Sequence, residues 1–213
     1  MLTLLPYEGW KARGAADEDA CRVRDDIEAL ACANARFADA GKPMVVVEEQ
    51  PGIPPRVRFL YQDLSGTYSE VMARPGLAEQ LDLVPHPEGG WAQSVWTSAV
   101  SVEPADYAGT RASATALHYV LGPTEQSRWH RVRSDELWLW QAGGALRFLT
   151  GGDAAKPSSA QPRILGPDLA AGERLHIVVP GGTWQAALPL RPAETLITCV
   201  VSPGFNEADY QIL

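Results

Sequence analysis

The hydrophobic and polar positions of this chain change their pattern near Val84. After this point short apolar segments recur about every ten residues, with turns rich in glycine and proline between them. Short strands at such a spacing are typical of an all-β sandwich or barrel. The predicted strands are Trp91–Val100, Ser113–Leu121, Leu137–Gln141, Ala145–Thr150, Arg163–Gly166, Arg174–Val179, Gln185–Leu188 and Glu194–Val201.

The part of the chain before Val84 predicts a smaller α+β region. Residues 17–40 are rich in alanine and charged side chains, and their apolar residues have helical spacing, so they predict a helix that ends at Gly41. Residues 66–83 predict a shorter helical stretch, which Pro75-Gly76 interrupts. The predicted strands of this region are Leu2–Leu5, Met44–Val47 and Arg56–Tyr61.

The composition narrows the class of protein. The chain has 213 residues, 46% of them hydrophobic, and a formal net charge of −8. The basic residues are scattered, so we expect neither nucleic acid nor an anionic membrane as a partner. No apolar run approaches the roughly 20 residues that span a bilayer, and the N-terminus lacks the basic start of a secretory signal. These features predict a cytoplasmic protein.

The three cysteines are Cys21, Cys32 and Cys199. This odd and sparse set does not predict a disulfide framework. If residues 17–40 form one helix, Cys21 and Cys32 lie about three turns apart, which is too far for a disulfide. We therefore expect free thiols in a reducing cytoplasm.

Two segments carry the most informative polar residues. Trp129–Glu136 contains His130 and Glu136, and Val179–Gln185 ends on Gln185. The two segments place one imidazole, one carboxylate and one carboxamide on short strand-like stretches. Strands of one small barrel direct such side chains to a common interior, so the sequence predicts a pocket for a small molecule.

The spacing of these residues resembles the two cupin motifs. In cupins the first motif has two histidines separated by one residue, then Glu and Gly, and the second has Pro-x-Gly followed by a third histidine. The corresponding residues here are His130, Val132, Glu136 and Gly143, and then Pro180, Gly182 and Gln185. Val132 and Gln185 thus stand at two histidine positions.

The altered motifs bear on cofactors. A transition metal prefers three or four nitrogen, oxygen or sulfur ligands. We therefore expect no tightly bound catalytic metal and no other cofactor. If a divalent metal were bound, the resemblance implies that His130, Glu136 and Gln185 would be its ligands.

Four longer blocks extend the resemblance to one family. The blocks are residues 83–90, 127–138, 178–186 and 199–205, and their order and content resemble the cupin 5 family, also called DUF985. The resemblance covers residues 76–213 and implies a mainly β fold, a double-stranded β-helix jelly roll that forms a homodimer. Residues 1–75, the small α+β N-terminal region, match nothing in the family. Trp91-Ala92-Gln93-Ser94 departs from the family pattern, which indicates a different substrate.

His130, Glu136 and Gln185 each have a functional and a structural interpretation. His130 and Glu136 are predicted to be the catalytic acid/base pair. The alternatives are a histidine that bonds across the barrel and a Glu in a salt bridge with Arg131 or Arg133. Gln185 is predicted to hydrogen-bond the substrate, and the alternative is a buried carboxamide that ties two strands together.

Aromatic residues and one further carboxylate complete the predicted site. Large aromatic faces bind sugars and aromatic ligands, but they also pack in cores. Glu88 lies in the string Pro-His-Pro-Glu-Gly-Gly, which is either a loop at the pocket or a structural turn. The residues predicted to bind substrate are Trp138, Trp140, Trp184, Tyr119 and Glu88.

The sequence supports three hypotheses about function. The first is an enzyme that binds a small polar metabolite, a sugar-like or keto compound, and catalyses a non-redox proton transfer such as isomerisation, epimerisation, cyclisation or dehydration. The second is a binding or sensor protein that keeps the pocket without catalysis. The third is a metal-dependent oxygenase, as some cupins are.

Overall fold

The structure is a computed structural model, and it describes residues 2–14, 17–38, 42–158 and 162–213. The chain divides into two compact units, Met1–Arg74 and Pro75–Leu213. Among the described residues, none of the helices combines the length and the hydropathy that a membrane span requires.

In its described residues the N-terminal unit is one antiparallel sheet with two helices. Its sheet order is β2-β1-β3-β4-β5, and the three predicted strands are confirmed within it. The elements are β1 (Leu2–Pro6), α1 (Tyr7–Arg13), β2 (Cys21–Val23), α2 (Asp26–Phe37), β3 (Met44–Gln50), β4 (Ile53–Gln62) and β5 (Tyr68–Ala73).

The single helix predicted over residues 17–40 is wrong in its first part. Strand β2 occupies part of this stretch, and α2 begins only at Asp26. The Asp25 side chain accepts a hydrogen bond from the Glu28 amide at 2.9 Å, and Glu28 in turn accepts one from the Arg24 amide. The Asp25 cap and the Glu28 bond to the preceding residue together fix the start of the helix. Gly41, the predicted end, lies outside the described residues.

The expected separation of Cys21 and Cys32 is wrong for the same reason. Because Cys21 lies on β2 and Cys32 on α2, the chain reverses between them, and their Sγ atoms are 3.0 Å apart. Both residues are free cysteines and partly exposed.

The helical stretch predicted over residues 66–83 is only partly confirmed. Its first part is strand β5, and only the part after Pro75 is helical, as α3 (Gly76–Gln80). The Glu194 carboxylate accepts hydrogen bonds from the first two amides of this helix, those of Gly76 and Leu77. A carboxylate at this position satisfies amides that have no partner inside the helix.

Strand β3 forms the centre of the N-terminal core. Met44, Val45, Val46 and Val47 are all fully buried, which is typical of a strand covered on both faces. One face packs against Ala29 and Ala33 of α2, as part of a cluster of apolar side chains.

The C-terminal unit consists of two larger antiparallel sheets and a short hairpin. The sheet orders are β15-β12-β17-β10-β7-β6 and β14-β13-β16-β11-β18, and β8 pairs with β9. The strands are β6 (Val84–Pro85), β7 (Trp91–Thr97), β8 (Ser101–Val102), β9 (Arg111–Ala112), β10 (Thr115–Leu121), β11 (Ser127–Val132), β12 (Asp135–Gly143), β13 (Leu146–Thr150), β14 (Arg163–Leu165), β15 (His176–Val179), β16 (Gln185–Pro189), β17 (Thr195–Ser202) and β18 (Tyr210–Ile212). All eight predicted strands are present, and the predicted mainly β jelly roll is confirmed.

Alternation along the strands decides which side chains reach the interior. In β17 the side chains of Ile197, Cys199 and Val201 are buried, and the residues between them are more exposed. In β12 Glu136 is buried and Asp135 is exposed. A period of two is expected for strands with one face on a core, so a polar residue on the inner face must lie inside the jelly roll.

A buried ion pair fixes the last strand. The Arg111 Nε donates to Asp209 Oδ2 at 2.8 Å, and both side chains are only 4% exposed. Arg111 also donates to the carbonyls of Ala108 and Thr110. Because Asp209 directly precedes β18, the ion pair positions the strand that pairs with β11.

We predict that Arg111→Met lowers the free energy of unfolding of the C-terminal unit by about 3–5 kcal/mol, because it leaves a buried carboxylate without its partner. Urea denaturation followed by tryptophan fluorescence measures this change, since six of the seven tryptophans lie after residue 75. Arg147→Met, at an exposed position of β13, is the control and should change stability by less than about 0.5 kcal/mol. Equal stabilities of the two variants would show that the buried ion pair does not stabilise the C-terminal unit.

Candidate functional site

A cavity of about 660 Å³ lies in the C-terminal unit. Its size suits a small organic molecule. The lining contains three carboxylates, two imidazoles and several aromatic rings. The residues that line it are His86, Pro87, Glu88, Ser94, Thr97, Thr115, Ala116, Leu117, Tyr119, His130, Val132, Glu136, Trp138, Cys199, Val201, Phe205, Glu207 and Tyr210.

His130 lies in β11 and is only 1% exposed. Its Nδ1 is 2.8 Å from the carbonyl oxygen of Arg128. A carbonyl oxygen can only accept a hydrogen bond, so the Nδ1 of His130 carries a proton and is the donor. The neutral ring then has its lone pair on Nε2, which is the atom that can take a proton from a ligand.

Glu136 and Gln185 are hydrogen-bonded to each other. The Gln185 Nε2 donates to Glu136 Oε2, and Gln185 lies directly opposite His130 in the pairing of β16 with β11. The bond fixes one oxygen of the carboxyl group. Glu136 has no salt bridge to Arg131 or Arg133 in the described part of the chain, where Arg131 bonds to Gln211 and to two carbonyls.

Glu88 enters the same cavity from the loop that follows β6. Its Oε2 lies 3.4 Å from His130 Nδ1 and accepts a hydrogen bond from the Ser127 hydroxyl at 3.2 Å. Gly89 has a φ of 97°, and a Cβ there would lie 2.3 Å from the carbonyl oxygen of Gln126. The glycine therefore allows the close approach of two backbones that brings Glu88 to the histidine.

Burial shifts the pKa of each ionisable group in the direction that favours its neutral form. Desolvation lowers the pKa of His130, partly offset by the nearby Glu136 charge. Desolvation also raises the pKa of Glu136, an effect that His130 opposes and Glu88 reinforces. The pKa of Glu88 is raised and that of His86 lowered, again chiefly by burial. The pKa values of the carboxyl groups and of the imidazoles therefore move toward one another, which favours proton transfer between them.

The predicted aromatic residues fall into two groups. Trp138 and Tyr119 line the cavity, and the Tyr119 hydroxyl donates to the Gly89 carbonyl at 2.6 Å. Trp140 and Trp184 are not among the lining residues, and their indole groups donate to the carbonyls of Gly144 and Ala154. A ligand-binding role for these two stays a prediction that the cavity does not support.

Several lining residues were not predicted to be part of the site. Cys199 has the same strand parity as Ile197 and Val201, so the alternation of β17 contained the signal. Tyr210 lies on β18, a strand of only three residues, for which the sequence pattern offers no signal. Phe205 and Glu207 lie in the connection before it, where no periodicity applies.

A family model described as Cupin superfamily (DUF985) matches residues 76–213. The chain belongs to the DUF985 family of cupins. Two solved structures are similar to it, a hypothetical protein from Leishmania major and a protein from Shewanella oneidensis. Each has 30% identity and a TM-score of 0.58 and matches 64% of this chain, and the matches cover 84% and 82% of the two proteins. No functionally curated protein matches the chain.

The donor set of this cupin does not fit the metal site that many cupins have. Val132 contacts the cavity where a second imidazole would be, and Gln185 Nε2 already donates to Glu136. Among the described residues no three His, Cys, Asp or Glu side chains form a group that could hold a metal. One imidazole, one carboxylate and one carboxamide fall short of the usual protein ligands of a catalytic metal.

We predict that Val132→His combined with Gln185→His creates a metal site in this cupin. The double variant should bind about one Ni²⁺ or Co²⁺ per chain, because it restores three imidazoles beside a carboxylate. Calorimetric titration and elemental analysis measure the binding. Thr97→His, at another cavity position, is the control. Stoichiometric Fe, Mn or Ni in the wild type purified without chelator would overturn the interpretation of the donor set.

We predict that Glu136→Gln stabilises the protein by about 0.5–2 kcal/mol at pH 8. The folded state keeps the Glu136 proton to a higher pH than the unfolded chain does, because burial raises the pKa. The wild type therefore loses stability as the pH rises above the unfolded value of about 4.5, whereas the Gln variant does not. Urea denaturation at pH 4.5 and pH 8 should show a difference between the two proteins only at pH 8.

The matched control for this prediction is Glu103→Gln, because Glu103 is exposed and outside the cavity. The Gln side chain at position 136 still offers an oxygen to Gln185, so the substitution removes the charge and little else. A Glu136→Gln variant that is less stable than the wild type at pH 8 would show that the ionised carboxylate is favourable in the folded state.

Proposed function

We propose that this cupin is an enzyme that catalyses a non-redox proton transfer on a small polar metabolite, a sugar-like or keto compound. The observation that carries the proposal is the convergence of His130, Glu136 and Glu88 in one buried cavity. Their partners orient each group, and burial raises the pKa of both carboxyl groups and lowers that of the imidazole, so these pKa values move toward one another. Perturbed acid and base groups of this kind concentrate at sites of proton transfer.

The chemistry follows from the states of the two central residues. His130 Nε2 takes the proton from a carbon next to a carbonyl, and the protonated Glu136 carboxyl gives its proton to the carbonyl oxygen. The product of this step is an enol. If a proton then goes to the neighbouring carbon of an enediol, the reaction is an isomerisation, and if it goes to the opposite face of the same carbon, the reaction is an epimerisation. In both cases Glu136 regains its proton from an enol hydroxyl. If a leaving group is next to the carbanion, its departure with a proton completes a dehydration instead.

One of two unpaired buried polar atoms supports a polar ligand. The Trp138 Nε1 and the Gln185 Oε1 have no hydrogen-bond partner among the described residues. A buried donor or acceptor without a partner costs about 1–3 kcal/mol, so its persistence needs a reason. Trp138 lines the cavity, so a metabolite with a hydroxyl or carbonyl group supplies an acceptor for its Nε1. Gln185 is fully buried and is not among the lining residues, so its predicted bond to the substrate stays a prediction that the cavity does not support.

The charges of the lining favour an uncharged ligand over a phosphorylated one. The cavity has three carboxyl groups, those of Glu88, Glu136 and Glu207, and burial lowers the pKa of both histidines. A phosphate finds no arginine or lysine among the described lining residues, and any carboxyl group that ionises repels it. Sugars and keto compounds without phosphate are therefore the first ligands to examine.

A solvent-exchange assay tests the proposed activity. We predict that the wild type incorporates deuterium from D2O into a member of a panel of aldoses, ketoses and keto acids, measured by proton NMR. His130→Ala should lower the exchange rate by about 10²–10⁴-fold, because the general base is lost. His176→Ala is the control, since His176 is an exposed residue of β15.

Two results would contradict the proposal. Full exchange activity in His130→Ala would remove this residue from the mechanism. Ligand-dependent thermal stabilisation of the wild type without exchange or product would favour the alternative, a binding or sensor protein with the same cavity. Homodimerisation and a cytoplasmic location stay predictions beside this proposal.

A further inference from the structure

The N-terminal unit contains two cysteines whose side chains meet. Cys21 lies on β2 and Cys32 in the second turn of α2, and the Cys32 thiol donates to the Cys21 sulfur at 3.0 Å. A disulfide needs an S–S distance of about 2.05 Å, so a shift of about 1 Å brings the sulfurs to bonding distance. Both residues are partly exposed, so a small reagent reaches them from solvent.

A basic side chain accompanies the pair. Arg36, one turn after Cys32 in α2, is near enough to interact electrostatically with both Cys21 and Cys32. A guanidinium group beside a thiol stabilises the thiolate, which is the form that attacks a disulfide. Partial burial and the neighbouring Cys21 raise the pKa of Cys32, and Arg36 opposes this shift. Cys199 differs in its exposure, because it is buried in the C-terminal unit.

We infer that Cys21 and Cys32 form a redox-active dithiol, which low-molecular-weight disulfides convert reversibly into an intramolecular disulfide. The inference is independent of the proposed function, because it concerns the other unit of the chain.

The reaction balances as two successive exchanges. The thiolate of one cysteine attacks the external disulfide, forms a mixed disulfide and releases one thiolate, which takes up a proton. The second cysteine then attacks the mixed disulfide at the protein sulfur and releases the second external thiol. The two protein thiols are oxidised, the external disulfide is reduced to two thiols, and the two thiol protons go to the released molecules.

The bond has a definite structural effect. Strand β2 has only three residues and pairs with β1 alone, at the edge of its sheet. The disulfide ties this edge strand to α2, whose Ala29 and Ala33 pack in the core. The disulfide closes a loop of the chain that includes Asp25, the residue that caps α2. Such a cross-link restricts the conformations of the unfolded chain.

The full-length protein tests the inference directly. After incubation with glutathione disulfide, native protein is alkylated and analysed by intact and peptide mass spectrometry. The wild type should lose two of its reactive thiols and gain a Cys21–Cys32 cross-link, and dithiothreitol should restore both. Cys21→Ser and Cys32→Ser should instead accumulate a stable glutathione adduct on the remaining cysteine, at least tenfold more than the wild type does.

A second measurement separates the bond from a general effect of oxidation. Oxidised wild type should have a higher unfolding temperature than reduced wild type, whereas neither Ser variant should change on oxidation by more than the error of the measurement. A wild type that forms only glutathione adducts, or that links Cys21 to Cys32 only between chains, would overturn the inference. So would a cross-link that includes Cys199 in the folded protein.

Discussion

The loss of water around His130, Glu136 and Glu88 is the constraint on which the rest of this site depends. Each group has its neutral form favoured by burial, and each is held in place by a neighbour that satisfies part of its hydrogen-bonding capacity. The jelly roll provides the dry interior, because its strands expose one face to solvent and turn the other inward. The cavity thus creates acid and base groups from residues that would be ordinary at the surface.

Two positions differ from the usual cupin motifs, and both changes are consistent with an interior that contains acid and base groups. Val132 adds an apolar surface where cupins have an imidazole, and Gln185 holds Glu136 where they have another. Under the proposed function, both changes suit an organic ligand beside an acid/base pair better than they suit a metal ion. The proximity of Glu88 adds a second carboxyl group, so the charge of the site depends on how many protons its members share.

The strands of the C-terminal unit could be predicted from sequence because their inner and outer faces alternate. In the structure the same alternation buries Glu136 and exposes Asp135. Tyr210 could not be predicted, because its strand is short and is defined by pairing with β11, far away in the sequence. The start of α2 was predicted wrongly, since alanine-rich composition extends beyond the helix and the Asp25 cap decides the boundary. The same error led to the wrong expectation that Cys21 and Cys32 lie too far apart for a disulfide.

The pairing of β18 with β11 has a consequence for the order of folding. His130 lies opposite Ile212 of β18. Strand β11, which carries the histidine, therefore gains β18 as its second neighbour only after about 80 further residues have been synthesised. Until then one edge of β11 has no partner, and Tyr210 cannot complete the cavity wall. Contacts of such sequence separation form late and slowly. A ribosome-bound chain can therefore contain a nearly complete jelly roll and still lack the part of the cavity wall that Tyr210 provides.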